Sequence, residues 1–191
     1  MTTEEAVAVI AARISVLLKK KPNVLVAIDG MCASGKSTVA QELSNKCNAS
    51  IFHADDFFLP ASCCSAERLA DSGASIDWER LEKEVLEPLV KQQPVKFRKY
   101  DCHMQKLLAP IVVLPKHVCI VEGSFSMSPH IERYYDFSVF LKISNYRQVE
   151  RIMKRNPTNK DDFFNKWIPR EENYFFTTNI LNRCTLSLGM D

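Results

Sequence analysis

The sequence is poor in features that would send it to a membrane, a secretory pathway or a nucleic acid. No apolar run approaches the roughly 18–20 residues that cross a bilayer, and the N-terminal stretch MTTEEAVAVIAARISVLLKK has acids where a secretory signal has bases. Arg13 also interrupts its apolar residues. The formal net charge of +2 gives no excess for coating nucleic acid. No Cys-x-x-Cys pair occurs, and the seven cysteines (Cys32, Cys47, Cys63, Cys64, Cys102, Cys119 and Cys184) are odd in number. Cys63-Cys64 has no matching cluster and Cys102-His103 stands alone, so free thiols in a reducing cytoplasm are expected, with neither a disulfide framework nor a zinc site. Only five glycines are present. Their positions therefore carry information.

What remains is ordinary globular material, 46% hydrophobic and 25% charged over 191 residues, enough for one domain with a real core. Ala6, Val7, Ile10, Ile14, Leu17 and Leu18 recur at helical spacing and predict a helix over 3–20, with Thr2 and Glu5 as a capping box and Pro22 beyond its end. NVLVAID (23–29) is a short, nearly continuous apolar strand of the kind buried on both faces of a parallel sheet. A helix over 36–46 and a strand over 49–55 follow. PASCCSAERLADSGAS (60–75) reads as a loop or partly helical excursion. DWERLEKEVLEPLVK (77–91) is a helix, PVKFRKYD (94–101) an exposed strand, HVCIVEG (117–123) and DFSVFLKIS (136–144) buried strands, and NYRQVERIMKR (145–155) a basic helix. A last helix over 163–180 is interrupted by Pro169. Buried strands alternating with helices predict an α/β fold with a parallel sheet, in a single domain over residues 1–191.

Residues 30–38, GMCASGKST, fit Gly-x-x-x-x-Gly-Lys-[Ser/Thr] through Gly30, Gly35, Lys36 and Ser37. A predicted buried strand precedes them and a helix follows, as the phosphate-binding loop requires. In such a loop the backbone N–H groups, here those of Ala33, Ser34, Gly35, Lys36, Ser37 and Thr38, wrap nucleotide phosphates while glycine permits the turn. The helix N-terminus adds its positive dipole end. Lys36 reaches the β/γ-phosphates and the Ser37 hydroxyl is a ligand for Mg²⁺, so ATP and Mg²⁺ are the expected cofactors. Glu122 closes the strand HVCIVEG, where a carboxylate can act on Mg²⁺ directly or through water. Asp55 and Asp56 end the strand before, beside the apolar Phe57, Phe58, Leu59 and Pro60. A carboxylate there can orient an acceptor hydroxyl and take its proton.

The ordered set IDGMCASGKST, HADDFFLP, IDWERLEKEVLEPL, VEGSF and IPREENYF resembles the uridine kinase family of P-loop kinases, with phosphoribulokinase and nicotinamide riboside kinase as relatives. The resemblance covers about residues 22–180 and implies a P-loop NTPase fold: a parallel sheet flanked by helices, with a helical lid at about 151–165. It implies ATP-dependent phosphoryl transfer to a hydroxyl of a nucleoside-like small molecule, best the 5′-hydroxyl of uridine or cytidine. Asp55 then matches the carboxylate that takes the hydroxyl proton, with Phe58 beside it. Asp77 matches the aspartate on the ribose hydroxyls. Tyr100 and His103 match the aromatic and histidine that meet the base, and Arg151 and Arg155 the lid arginines. Arg170 is a further candidate for the nucleotide, while Trp167, Tyr174 and Phe175 are expected in core packing. Two aspartates precede the Phe pair, as in nicotinamide riboside kinases, and the lid MKRNPTNKDDFF lacks glycine. Its Asn159-Lys160-Asp161-Asp162 resembles a guanine-specifying signature but follows a basic helix, not a strand end. Other acceptors (nicotinamide riboside, pantothenate) and a regulatory nucleotide-binding protein without transfer stay open as alternatives. So does self-association of the chain.

Overall fold

A computed structural model describes residues 1–60, 63, 68 and 76–191. Most of the 60–75 excursion, Cys64 included, lies outside the described residues. Helix α1 (Thr3–Leu18) has the expected capping box: Thr2 accepts from the Glu5 N–H, and Glu5 reaches back to the Thr2 N–H. Strand β1 (Val24–Gly30) is buried along its whole length. Alternate residues face opposite sides: Leu25 and Ala27 join one apolar cluster, and Val24, Val26 and Ile28 the other. That two-sided burial explains why the strand reads as one apolar run rather than an alternation.

Strands β2 (Ala49–His53), β7 (Val118–Glu122), β8 (Phe137–Ile143) and β9 (Leu186–Met190) complete a parallel sheet of order β2-β7-β1-β8-β9. Helices α1 and α2 (Lys36–Cys47) cover one face through Ile10, Ile14, Val39 and Leu43. The other face is covered by α3 (Trp78–Leu81) and α4 (Glu87–Val90), and near the C-terminus by α7 (Ile168–Thr178) and α8 (Ile180–Arg183). A hairpin pairs β3 (Val95–Phe97) with β6 (Ile111–Val113) and, further out, β4 (Tyr100–Asp101) with β5 (Lys106–Leu107). Among the described residues no helix is long and apolar enough to cross a membrane, and His, Cys, Asp and Glu side chains nowhere gather in threes or more as a metal-binding group.

Three local differences from the sequence reading have physical causes. The single strand expected over 94–101 breaks at Arg98-Lys99, where the Arg98 N–H turns to Glu84 (3.2 Å) and Lys99 pairs with Asp56 (2.9 Å). The interruption expected at Pro169 is a π-helical turn, Phe163–Trp167, between α6 (Lys160–Asp162) and α7, so the chain stays helical from 160 to 178. The same device occurs at Glu82–Leu86, ahead of Pro88. In both, the residue before proline donates five residues back, Ile168 to Phe163 and Glu87 to Glu82. The widened turn accommodates the proline ring and its missing N–H without ending the helix. Strand β9, finally, was not expected. It is a short edge strand whose Leu186, Leu188 and Met190 pack inward while Ser187 and Gly189 face out.

Candidate active site

The carboxyl ends of β2, β7 and β1 lie side by side, the place where open parallel sheets collect ligands. At the end of β1, Gly30 passes so close to β8 that a Cβ would stand 2.2 Å from the Leu141 carbonyl oxygen. No side chain fits there, and φ of +143° suits glycine alone. The loop then turns through Ala33 at φ +60° and Gly35 at φ +97° into α2, whose first residue is Lys36. The Lys36 ammonium donates to the Gly30 and Met31 carbonyls at 2.7 and 3.0 Å, which keeps it over the loop. The Ser34 hydroxyl is buried with no hydrogen-bond partner among the described residues. Ser37 and Thr38 are exposed on the first turn of α2.

Glu122, 4% exposed, ends β7 with both carboxylate oxygens 3.2 Å from the Ser37 hydroxyl. Its Oε1 also meets His53 Nδ1 at 2.5 Å, and that hydrogen bond raises the His53 pKa above its ordinary value. His53, at the end of β2, was not singled out from the sequence. Only its place two residues before Asp55 could have marked it. Asp55 follows on a 3₁₀ turn (Ala54–Phe57) rather than on the strand itself. Its side chain is exposed. The surrounding protein still removes enough water to raise its pKa, with Lys36 opposing and Glu122 adding to the rise. Ser37 thus meets Glu122, and the Lys36 and Glu122 charges both act on Asp55.

The other residues expected at the site are variously placed. The Asp77 backbone N–H donates to the Phe57 carbonyl at 2.7 Å, which ties it to the Asp55 turn, while its carboxylate caps α3 by accepting from the Arg80 N–H at 3.1 Å. Burial raises its pKa. Phe58 meets Trp167 of the π-turn with ring centroids 5.5 Å apart. The β4 strand packs on the same 3₁₀ turn, and the thiol of Cys102 at the hairpin tip feels both Asp55 and Lys166. Tyr100 is buried, its hydroxyl donating to Gln105 at 3.0 Å, and His103 is exposed in the hairpin turn. Arg151 and Arg155 lie on α5 (Asn145–Arg155). Arg151 donates to the Ala33 carbonyl at 3.1 Å, and its Nη1 stands 3.9 Å from where a Cβ on Gly35 would be. Arg155 is exposed at the helix end. Arg170 lies 5.6 Å over the Trp167 ring.

Behind the loop is a buried polar network that the sequence reading left unassigned. Asp29, fully buried, accepts from the Gly30 N–H (2.7 Å), the Met127 N–H (3.0 Å) and the Tyr174 hydroxyl (2.9 Å). Burial nevertheless pushes its pKa up to about 6. Glu171, 5% exposed, accepts from the Cys32 N–H at 2.7 Å and from the Ser124 hydroxyl. Gln148, also 5% exposed, donates to the Cys32 carbonyl at 3.0 Å.

Known proteins share this arrangement at the level of fold. The chain superposes on the structure of a possible uridine kinase from Bacillus stearothermophilus with a TM-score of 0.71 at 18% identity, over 97% of this chain and 98% of that one. It superposes on a candidate fructose transport system kinase from Silicibacter sp. TM1040 with a TM-score of 0.60 at 19% identity, over 98% and 99%. No curated protein gives a significant sequence match. Residues 25–162, well over half of the chain and spanning the loop, Asp55, Asp77, Glu122 and α5, match the Phosphoribulokinase / Uridine kinase family. The chain is a P-loop kinase and belongs to that family.

Proposed function

We propose that the chain transfers the γ-phosphoryl group of ATP to a hydroxyl of a nucleoside-like small molecule, best the 5′-hydroxyl of uridine or cytidine. The observation that carries this reading is the convergence of Lys36, Ser37, Glu122 and Asp55 at the carboxyl edge of one sheet. The groups present suit Mg·ATP. Loop amides and Lys36 match phosphate oxygens, and Ser37 with Glu122 offers hard oxygen ligands for Mg²⁺. When bound, the cation neutralises charge on the phosphates.

In this reading Lys36 exchanges the Gly30 and Met31 carbonyls for phosphate oxygens. His53 holds the Glu122 carboxylate in place through Oε1. Asp55 orients the acceptor hydroxyl and takes its proton as the oxygen bonds to phosphorus and ADP leaves. Its raised pKa, caused first by burial, strengthens it as a base. Asp77 holds the ribose hydroxyls, and Phe58, Tyr100 and His103 border the base. Arg151, already beside Gly35, and Arg155 neutralise the transferring group when a lid over about 151–165 closes. Trp167 against Phe58 helps exclude water from the cleft. The test is purified protein with Mg·ATP and a panel of uridine, cytidine, nicotinamide riboside and pantothenate. Acceptor-dependent ADP release with uridine or cytidine is expected. Silence across the panel sinks the proposal, and release only with another member reassigns the acceptor.

A further inference from the structure

Three consecutive peptide planes of the phosphate loop are each held from outside by one side chain. The Met31–Cys32 plane is held through the Cys32 N–H by Glu171 (2.7 Å), and the Cys32–Ala33 plane through the Cys32 carbonyl by Gln148 (3.0 Å). The Ala33–Ser34 plane is held through the Ala33 carbonyl by Arg151 (3.1 Å). The residue between them, Ala33, has φ of +60°, a left-handed conformation that a non-glycine residue keeps only when its surroundings over-determine it. In a trans peptide the N–H and C=O point opposite ways. Drawing the Cys32 carbonyl onto Gln148 therefore turns the Ala33 N–H to the other side. Glu171 and Gln148 are buried, come from two different helices, α7 and α5, and lie outside the loop motif itself.

We infer that Glu171 and Gln148 are positioning residues that hold the phosphate loop in its nucleotide-accepting shape. They do so through the backbone of Cys32 and without touching the nucleotide. Glu171 is the more important of the two, because it also fixes Ser124, just after Gly123, against the same helix. One face of α7 thereby carries Glu171 on the loop apex and, three residues on, Tyr174 on Asp29 at the loop base. The inference rests on the reading of this loop as a nucleotide site.

The experiment is calorimetric titration of Mg·ADP into the full chain, with melting temperatures measured alongside. Glu171→Ala should weaken Mg·ADP binding about tenfold, the scale of one hydrogen bond to a charged group, with turnover at saturating ATP changed by less than about threefold. Glu171→Gln, whose amide oxygen still accepts from Cys32, should stay within about threefold of wild type in affinity. A Glu171→Ala protein that melts earlier yet binds Mg·ADP like wild type overturns the inference, as does Glu171→Gln binding as poorly as Glu171→Ala. If Glu171→Ala does not fold, Gln148→Leu decides: weaker binding supports the inference, unchanged binding overturns it. Wild type failing to bind Mg·ADP removes the nucleotide reading itself, and this inference with it.

Discussion

Replacing Tyr174 by Phe removes one hydroxyl and leaves the ring against Phe125, 5.0 Å away between centroids. The hydroxyl lost is one of three donors to Asp29, which is fully buried. Burial raises the Asp29 pKa from 3.8 to about 6 in the folded chain. The difference corresponds to about 3 kcal/mol, and its sign follows from which state holds the proton. The unfolded chain loses the Asp29 proton near pH 3.8 and the folded chain near 6. This group's contribution to stability is therefore full below the lower value and lost as pH rises through the upper one. At pH 7.5 Tyr174 donates to a buried charge, and its loss should cost about 1.5–3 kcal/mol. At pH 5 the native Asp29 is mostly protonated, and the loss should fall to the neutral scale of about 0.5–1.5 kcal/mol. The assay is urea unfolding of wild type and Tyr174→Phe at the two pH values. In melting temperature the extra loss at pH 7.5 amounts to roughly 2–4 °C for a chain of this size. Equal losses at both pH values, or a larger one at pH 5, would refute the reasoning.

Cys32→Ser should keep turnover within about threefold, because the contacts the loop makes through Cys32 to Glu171 and Gln148 use its backbone. A steady-state assay checks this, and strong inactivation would show a role for the thiol. Gly123→Ala places a Cβ 2.9 Å from the Ala54 Cβ at φ +135°. It should destabilise by about 1–3 kcal/mol in urea unfolding and lower turnover too, since Ala54 leads into the Asp55 turn.

The parts of the fold written in local pattern were legible in the sequence. The phosphate loop needs glycines and a lysine at fixed spacing between a strand and a helix, and the structure has that order. The all-apolar runs of β1 and β7 announced two-sided burial, hence a parallel sheet. Glu122 was legible from its place at a strand end, and the structure puts it on Ser37. Illegible were features set by distant partners. Glu171 and Gln148 look like ordinary helix polar residues, and only the packing of α5 and α7 behind the loop brings them to Cys32. His53 meets Glu122 across 69 positions of sequence. Strand β9 alternates apolar residues with Ser187 and Gly189 rather than forming an apolar run, and it depends on the free edge of β8. The π-turn before Pro169 read as a helix break because proline usually ends a helix, whereas a single widened turn absorbs it here; the one before Pro88, inside a segment read as a continuous helix, left no mark in the sequence.

The central claim, that Asp55 takes the proton of an acceptor hydroxyl beside a phosphate loop that binds ATP independently, is tested most directly by Asp55→Asn. Turnover is measured with the acceptor found in the panel, and Mg·ATP affinity by titration. The account predicts turnover lower by about 10²–10⁴ with ATP affinity near wild type. Comparable loss of ATP binding, or turnover that survives the change, would contradict it.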